Sequence, residues 1–140
     1  MRPAGLDQQI STLAPIEDEA WVVGGSLRDA LLGRPAGADL DIAVAGDAEA
    51  AARALCAAHP RANRFPLSRA FGAWRVQGPE LPFQIDITPL QGGSLAEDLS
   101  RRDLTVNALA LPVVRERPVV DLHGGLADLA ARRLRHTRPP

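Results

Sequence analysis

The sequence predicts an α+β domain, with neighbouring strands paired in a small mixed sheet and helices packed on one of its faces. Three patterns carry that prediction. Leu40, Ile42 and Val44 alternate at the period of a strand, Leu27, Ala30 and Leu31 recur at helical spacing, and two strand-like segments, Ala73 to Gln77 and Pro82 to Thr88, follow one another with no helix between them.

Taken in order, a leading helix is expected near Asp7 to Leu13, followed by a short buried strand at Trp21-Val22-Val23. Gly24-Gly25-Ser26-Leu27-Arg28-Asp29 then marks a strand-to-helix junction, and Asp39 to Val44 forms the next strand. An Ala-rich helix is predicted from about Asp47 to Ala58, with Asp47 as its N-cap, because a short carboxylate can accept the orphan amide hydrogens of a first turn. After the two adjacent strands comes a helix near Ser94 to Arg101, whose Ser94 and Glu97 have capping-box spacing. A mixed apolar stretch, a closing strand, a short helix and an Arg-rich strand at Arg133-Leu134-Arg135-His136 complete the order, and Thr137 to Pro140 is expected to be a loose tail.

The glycine junction suits an anion. Glycine lets the backbone approach a phosphate closely, and free amide hydrogens with the helix dipole favour negative charge at a helix N-terminus. Gly24 and Gly25 would supply the cradle, with Ser26 and Arg28 as further donors. A second reading takes Ser26 and Asp29 as a capping-box variant and the glycines as a tight turn alone.

Two acids stand ten residues beyond the turn. With Leu40, Ile42 and Val44 on one strand face, Asp39 and Asp41 share the other, ~6.5 Å apart along the chain. Carboxylate oxygens suit magnesium, and paired metal ions activate a hydroxyl nucleophile and neutralise a departing pyrophosphate. Two solvated surface acids are the alternative, though aspartate is disfavoured in strands. Asp86 has matching geometry: Phe83, Ile85 and Ile87 face inward and leave it on the opposite face with Gln84 and Thr88, as a third candidate metal ligand or an exposed strand acid.

Composition excludes several chemistries. All 16 basic side chains are arginine, and the chain has neither lysine nor tyrosine. Nucleotidyl-lysine ligases, P-loop NTPases and protein kinases each need the missing lysine. His59, His123 and His136 lack metal-ligand spacing, so no zinc site is expected. With 140 residues, 46% of them hydrophobic, the chain can bury the core of one domain, and no apolar run approaches membrane-spanning length. The single cysteine, Cys56, reads as a small buried thiol in an Ala-rich helical stretch, and a cytoplasmic location is expected.

Beyond the glycine turn and the acidic pair, the chain carries Arg69-Ala70-Phe71-Gly72-Ala73-Trp74-Arg75-Val76, then Asp98-Leu99-Ser100-Arg101-Arg102-Asp103-Leu104-Thr105-Val106-Asn107-Ala108-Leu109, then Val120-Asp121-Leu122-His123-Gly124-Gly125-Leu126-Ala127-Asp128-Leu129. In this order the blocks resemble the head domain of the class II polymerase β-like nucleotidyltransferases, the family of CCA-adding tRNA nucleotidyltransferases and bacterial poly(A) polymerases. The resemblance runs from about Val22 to His136.

It implies a head domain over residues 1–136 that binds CTP or ATP with Mg2+ and transfers a nucleoside monophosphate to the 3′-hydroxyl of tRNA or another RNA. It places Gly25 and Arg28 on the incoming nucleotide, Asp39 and Asp41 on magnesium, and Arg102 on the phosphates, with Asp103 and Asn107 orienting Arg102 and the local backbone. The residue-level alternative for Arg102 is a helix-surface arginine paired with Asp98 four residues earlier. Two departures from the family pattern stand out. The helical neck, body and tail regions that select the base and bind tRNA are not in this sequence, and the segment after Asp86, Thr88 to Gly93, is shorter than the loop of many members. Other readings are a nucleotide-binding or partner-docking module without catalysis, and a minimal nucleotidyltransferase with a non-RNA acceptor. No membrane partner is implied.

Overall fold

A computed structural model describes residues 3–35, 37–114 and 117–138. Its centre is a seven-stranded mixed sheet. The strands are β1 (Ala20–Val23), β2 (Asp39–Val44), β3 (Asn63–Ser68), β4 (Ala73–Gln77), β5 (Gln84–Pro89), β6 (Leu109–Pro112) and β7 (Val120–Asp121), in the order β3-β4-β5-β2-β1-β6-β7. β2 and β5 pair in parallel and every other pair is antiparallel.

The period-two pattern decides which side chains are buried. Val22, Leu40, Ile42, Val44, Ile85 and Ile87 project to one face and meet Ile10 and Leu13 of the first helical segment, α1 (Asp7–Thr12, with Leu13 as its C-cap), Leu27 of α2 (Gly24–Leu31), and Ala52 and Leu55 of α3 (Ala48–Ala58). Each fully buried leucine, isoleucine or valine there contributes about 1.5–3 kcal/mol relative to exposure. Asp47 caps α3 as expected, its carboxylate accepting from the Glu49 amide at 3.1 Å. The other face is closed only in part, where Leu99 of α4 (Leu95–Ser100) packs with Trp21, Val23, Ala43, Ala108 and Ala110. The rest of that face carries Asp41, Asp86 and Thr88 beside an open cleft.

Three expectations are corrected. β3 was absent from the predicted elements: it is an edge strand, exposed over most of its length and containing Pro66, so it shows no buried alternation to read. The Arg133–His136 segment forms no strand but a single bridge, Leu104 with His136, because Arg133 and Arg135 are drawn to the buried carboxylate of Asp128 at 3.2 and 3.0 Å. Thr137 and Arg138, expected in a loose tail, are fastened: the Thr137 hydroxyl donates to the Arg102 carbonyl and Arg138 donates to the Ser100 hydroxyl at 3.1 Å. Pro139 and Pro140 lie outside the described residues. Ser94 caps α4 by accepting from the Glu97 amide at 3.1 Å, while the Glu97 side chain turns to Arg101 at 3.1 Å.

The final helix, α5 (Gly125–Ala130), packs so closely on the 3₁₀ turn Thr105–Asn107 that a Cβ at Gly125 would stand 2.1 Å from the Thr105 carbonyl oxygen. That atom is backbone and cannot rotate away. Gly125→Ala is therefore expected to destabilise the fold by about 1–2 kcal/mol, read as a lower urea midpoint at unchanged slope.

Candidate functional site

The junction between β1 and α2 places the first site residue. Gly24 has φ +65°, a left-handed conformation that favours glycine, and a Cβ there would lie 3.4 Å from Asp41 Oδ2 and 3.9 Å from Arg102 Nη1. A side chain at this position would stand between an acid and an arginine. Ser26 fixes the junction to the acidic strand: its hydroxyl donates to the Val23 carbonyl and accepts from the Asp41 amide, both at 3.1 Å. Its one proton is thus committed to backbone. The expected role of Ser26 as a phosphate donor gives way to holding Asp41, and Asp29 pairs with Arg28 and Arg34 rather than closing a capping box.

Asp41 and Asp86 are direct partners in the parallel β2/β5 register, so their side chains share the open face. They line a cleft of about 350 Å³ together with Gly24, Phe71, Arg101 and Arg102. Asp39 belongs to the same strand face but lines a neighbouring depression of about 230 Å³ with Gly25 and Ser26, and Asp41 forms the wall common to both. Asp39 also accepts a hydrogen bond from Gln84.

Electrostatics single out Asp41. Burial, then the nearby Asp86 and Asp39 carboxylates, push its pKa up to about 6, and Arg102 and Arg75 only partly offset them. The charged form of Asp41 is therefore disfavoured first by its burial and then by the two neighbouring carboxylates.

Asp86 is partnered differently. Arg75, its cross-strand neighbour on β4, donates Nε to Oδ1 at 2.7 Å and Nη2 to Oδ2 at 3.0 Å. Both carboxylate oxygens are engaged in a fork of the strong bidentate kind. Among the described residues, no three His, Cys, Asp or Glu side chains gather around a common point. Asp86 thus stands beside the acidic pair as the partner of Arg75, a departure from the expected three-carboxylate cluster that follows from the β4/β5 register.

Arg102 lies at the cleft, and the structure identifies what orients it. Its Nε and Nη2 both donate to Asp98 Oδ1, at 3.2 and 3.1 Å, and Asp98 is only 4% exposed, with Oδ2 accepting from the Gln91 amide at 2.9 Å. The pairing four residues apart is real, yet it is no surface pair, because its acid is buried. Asp98 is the side chain that holds Arg102, while the Asp103 carboxylate holds the local backbone, accepting from the Leu104 amide at 2.8 Å. Asn107 likewise holds a different arginine, accepting from Arg28 Nη1 at 3.0 Å. Arg28 lines a separate groove with Leu32, Leu104 and Leu129 and is absent from the residues lining the cleft. Its guanidinium nevertheless reaches back to the glycine turn, where a Cβ at Gly25 would stand 3.3 Å from Arg28 Nη2.

The arrangement predicts a result for Arg102. A lysine ammonium is a point charge that cannot hold Asp98 and present a second N–H edge beyond Gly24, so Arg102→Lys is expected to weaken triphosphate binding about tenfold, or 1.4 kcal/mol, with little change in melting temperature. Titration calorimetry beside thermal unfolding checks it. Normal binding with a much lower melting temperature would make Arg102 a purely structural residue.

A family model describing the Poly A polymerase head domain matches residues 20–91 and 74–135. The chain is 45% identical over 116 residues to a CC-adding tRNA nucleotidyltransferase of Geobacter sulfurreducens, covering 83% of this chain and 26% of that protein. It is 47% identical over 124 residues to an A-adding tRNA nucleotidyltransferase of Deinococcus radiodurans, covering 88% and 26%. Among solved structures, a tRNA nucleotidyltransferase complexed with a primer tRNA and an incoming ATP analog superposes with a TM-score of 0.78 at 31% identity, covering 93% of this chain and 39% of that one. The chain thus spans about a quarter of the length of the two curated relatives.

Proposed function

Because the chain belongs to the Poly A polymerase head-domain family, we propose that it is the nucleotide-binding and catalytic head of a tRNA nucleotidyltransferase, adding CMP or AMP to an RNA 3′-hydroxyl. The observation that carries this reading is that Asp41 and Arg102 both come within 4 Å of the space a Cβ at Gly24 would fill, so that an acidic strand, a guanidinium and a side-chain-free turn line one cleft. No helix among the described residues is long and apolar enough to cross a membrane, in keeping with a reaction we place in the cytoplasm.

The donor set fits a divalent cation. Asp39 and Asp41 present oxygen ligands from one strand face, and burial first, then the neighbouring Asp86 and Asp39 carboxylates, raise the pKa of Asp41, a cost that a bound cation would offset. We assign the two aspartates to Mg2+, which when bound supplies Lewis-acid stabilisation of the reacting phosphate and its leaving group. Asp86 would join them only by releasing one oxygen from Arg75.

The chain's own residues do the rest. Gly24 admits the phosphate close to the backbone, Arg102 offers a guanidinium edge to the phosphate oxygens, and Asp98 holds that edge in place without touching substrate. Ser26 keeps the Asp41 backbone registered against the glycine turn.

One relative is named for CC addition and another for A addition, so the choice between CTP and ATP does not follow from this head. Discrimination requires groups that pair with one base edge and are left unpaired by another, and of the polar side chains lining the cleft Asp86, Gln91 and Asp98 already hold Arg75, the Phe71 and Pro89 carbonyls, and Arg102. The test is calorimetric titration of the chain with CTP and ATP, with magnesium or with excess chelator, beside incorporation of labelled nucleotide into a tRNA lacking its 3′ end. Magnesium-dependent binding of both with similar affinity, and incorporation, are expected. Absence of binding would overturn the assignment, and binding without incorporation would reduce the chain to a nucleotide-binding module.

A further inference from the structure

Phe71 is the most exposed of the five aromatic side chains, at 59%, while Trp21 and Phe83 are 8% exposed and Phe65 36%. Its main chain, by contrast, is tied down. The Phe71 amide donates to the Ser68 hydroxyl at 3.3 Å, and its carbonyl accepts at 3.3 Å from the Gln91 side-chain amide, which also donates to the Pro89 carbonyl at 2.8 Å. The next residue, Gly72, has φ +69°, and a Cβ there would press on Pro89 Cγ at 3.2 Å. A large apolar ring thus projects from a tied-down stretch of main chain on the wall of the cleft, with more than half of it exposed.

The sheet order says which wall. Phe71 precedes β4, and across the sheet from β4 come β5 with Asp86, β2 with Asp41, and then β1, which leads into Gly24 with Arg102 beside it. Asp41 therefore lies between the ring and the phosphate-binding end. In phosphoryl and nucleotidyl transfer the attacking oxygen and the leaving group sit roughly in line on opposite sides of the reacting phosphorus. With the triphosphate on Gly24 and Arg102, the attacking 3′-hydroxyl must arrive from the side of β5 and β4, which is the side Phe71 occupies.

Resting on the nucleotidyl-transfer reading, we propose that Phe71 is a stacking platform for the 3′-terminal base of the acceptor RNA, positioning its hydroxyl toward Asp41. Stacking suits a site that must accept more than one terminal base, since every base has a π-face. The incoming nucleotide's base is the rival occupant, and the two predict different losses.

The test uses the chain with magnesium, a non-hydrolysable CTP analogue and a short RNA carrying 2-aminopurine as its 3′-terminal base. The wild type is expected to quench the 2-aminopurine emission. Phe71→Ala should lose most of the quenching and bind the RNA at least fivefold more weakly, with CTP affinity and melting temperature unchanged, and Phe71→Trp should restore both. Unaltered quenching in Phe71→Ala overturns the proposal. So does a loss of CTP affinity with RNA affinity retained, which would seat the incoming base on the ring. If the wild type shows no quenching but binds triphosphate in a magnesium- and Asp41-dependent way, the platform falls and the transfer reading stands. If triphosphate binding itself is absent, the transfer reading falls and the platform with it.

Discussion

Asp41→Ala is expected to abolish magnesium-dependent triphosphate binding, a loss of at least a hundredfold, or about 2.7 kcal/mol. A polyphosphate brings several negative charges onto a strand face where burial, Asp86 and Asp39 already push the Asp41 pKa up to about 6. Arginine alone cannot balance that addition: Arg75 is spent on Asp86 and Arg102 is shared with Asp98. A divalent cation held by Asp39 and Asp41 can, so removing Asp41, the wall common to both depressions, removes the cation and the reason for the phosphates to stay. Titration calorimetry of CTP and ATP against wild type, Asp41→Ala and Asp39→Ala/Asp41→Ala, with and without chelator, measures it. Equally tight binding by the double variant, or by wild type in chelator, would dismiss the metal assignment.

What the sequence could reveal about this site depended on how local the cause was. Asp39 and Asp41 were legible because alternation with Leu40, Ile42 and Val44 fixes their face within six residues. Gly24 was legible because the glycine pair stands where a strand pattern gives way to a helical one, and at φ +65° it takes a left-handed conformation that favours glycine. The partners of Arg28 and Arg75 were not legible. Asn107 reaches Arg28 across 79 residues of sequence, and the β4/β5 register alone brings Arg75 to Asp86. Asp98 was visible as a helical neighbour of Arg102, but its burial arises from packing of α4 on the sheet and from the Gln91 amide, neither of which a spacing rule contains. β3 escaped for the opposite reason: an exposed edge strand with a proline in it has no buried pattern to betray it.

Asp41→Asn should make the fold more stable than wild type at neutral pH, and the gain should vanish in acid. The folded pKa of about 6 lies above the ordinary 3.8, so the native state binds this proton more tightly than the unfolded chain does. The stabilisation that goes with protonated Asp41 is full below about pH 4, is lost as pH rises through 6, and is gone above it. Asparagine keeps the shape without the charge, which predicts about 1–3 kcal/mol of extra stability above pH 6 and convergence with wild type near pH 4. Asp128 does not confuse the window. Its hydrogen bond from Thr105, together with Arg135 and Arg133, holds its carboxyl below the ordinary range, so its contribution is lost only at lower pH. Urea unfolding at pH 4.5 and 7.5, with and without magnesium, reads the effect, and added magnesium should raise the wild-type midpoint and leave the Asn variant unmoved. An Asn variant weaker than wild type at both pH values would mean that Asp41 is held by partners that favour its charge, and that the strand face is not strained in the way cation binding requires. The same residue would then gain the fold nothing and cost the site nothing, whereas the crowding of Asp39, Asp41 and Asp86 makes stability and binding trade against each other at one carboxylate.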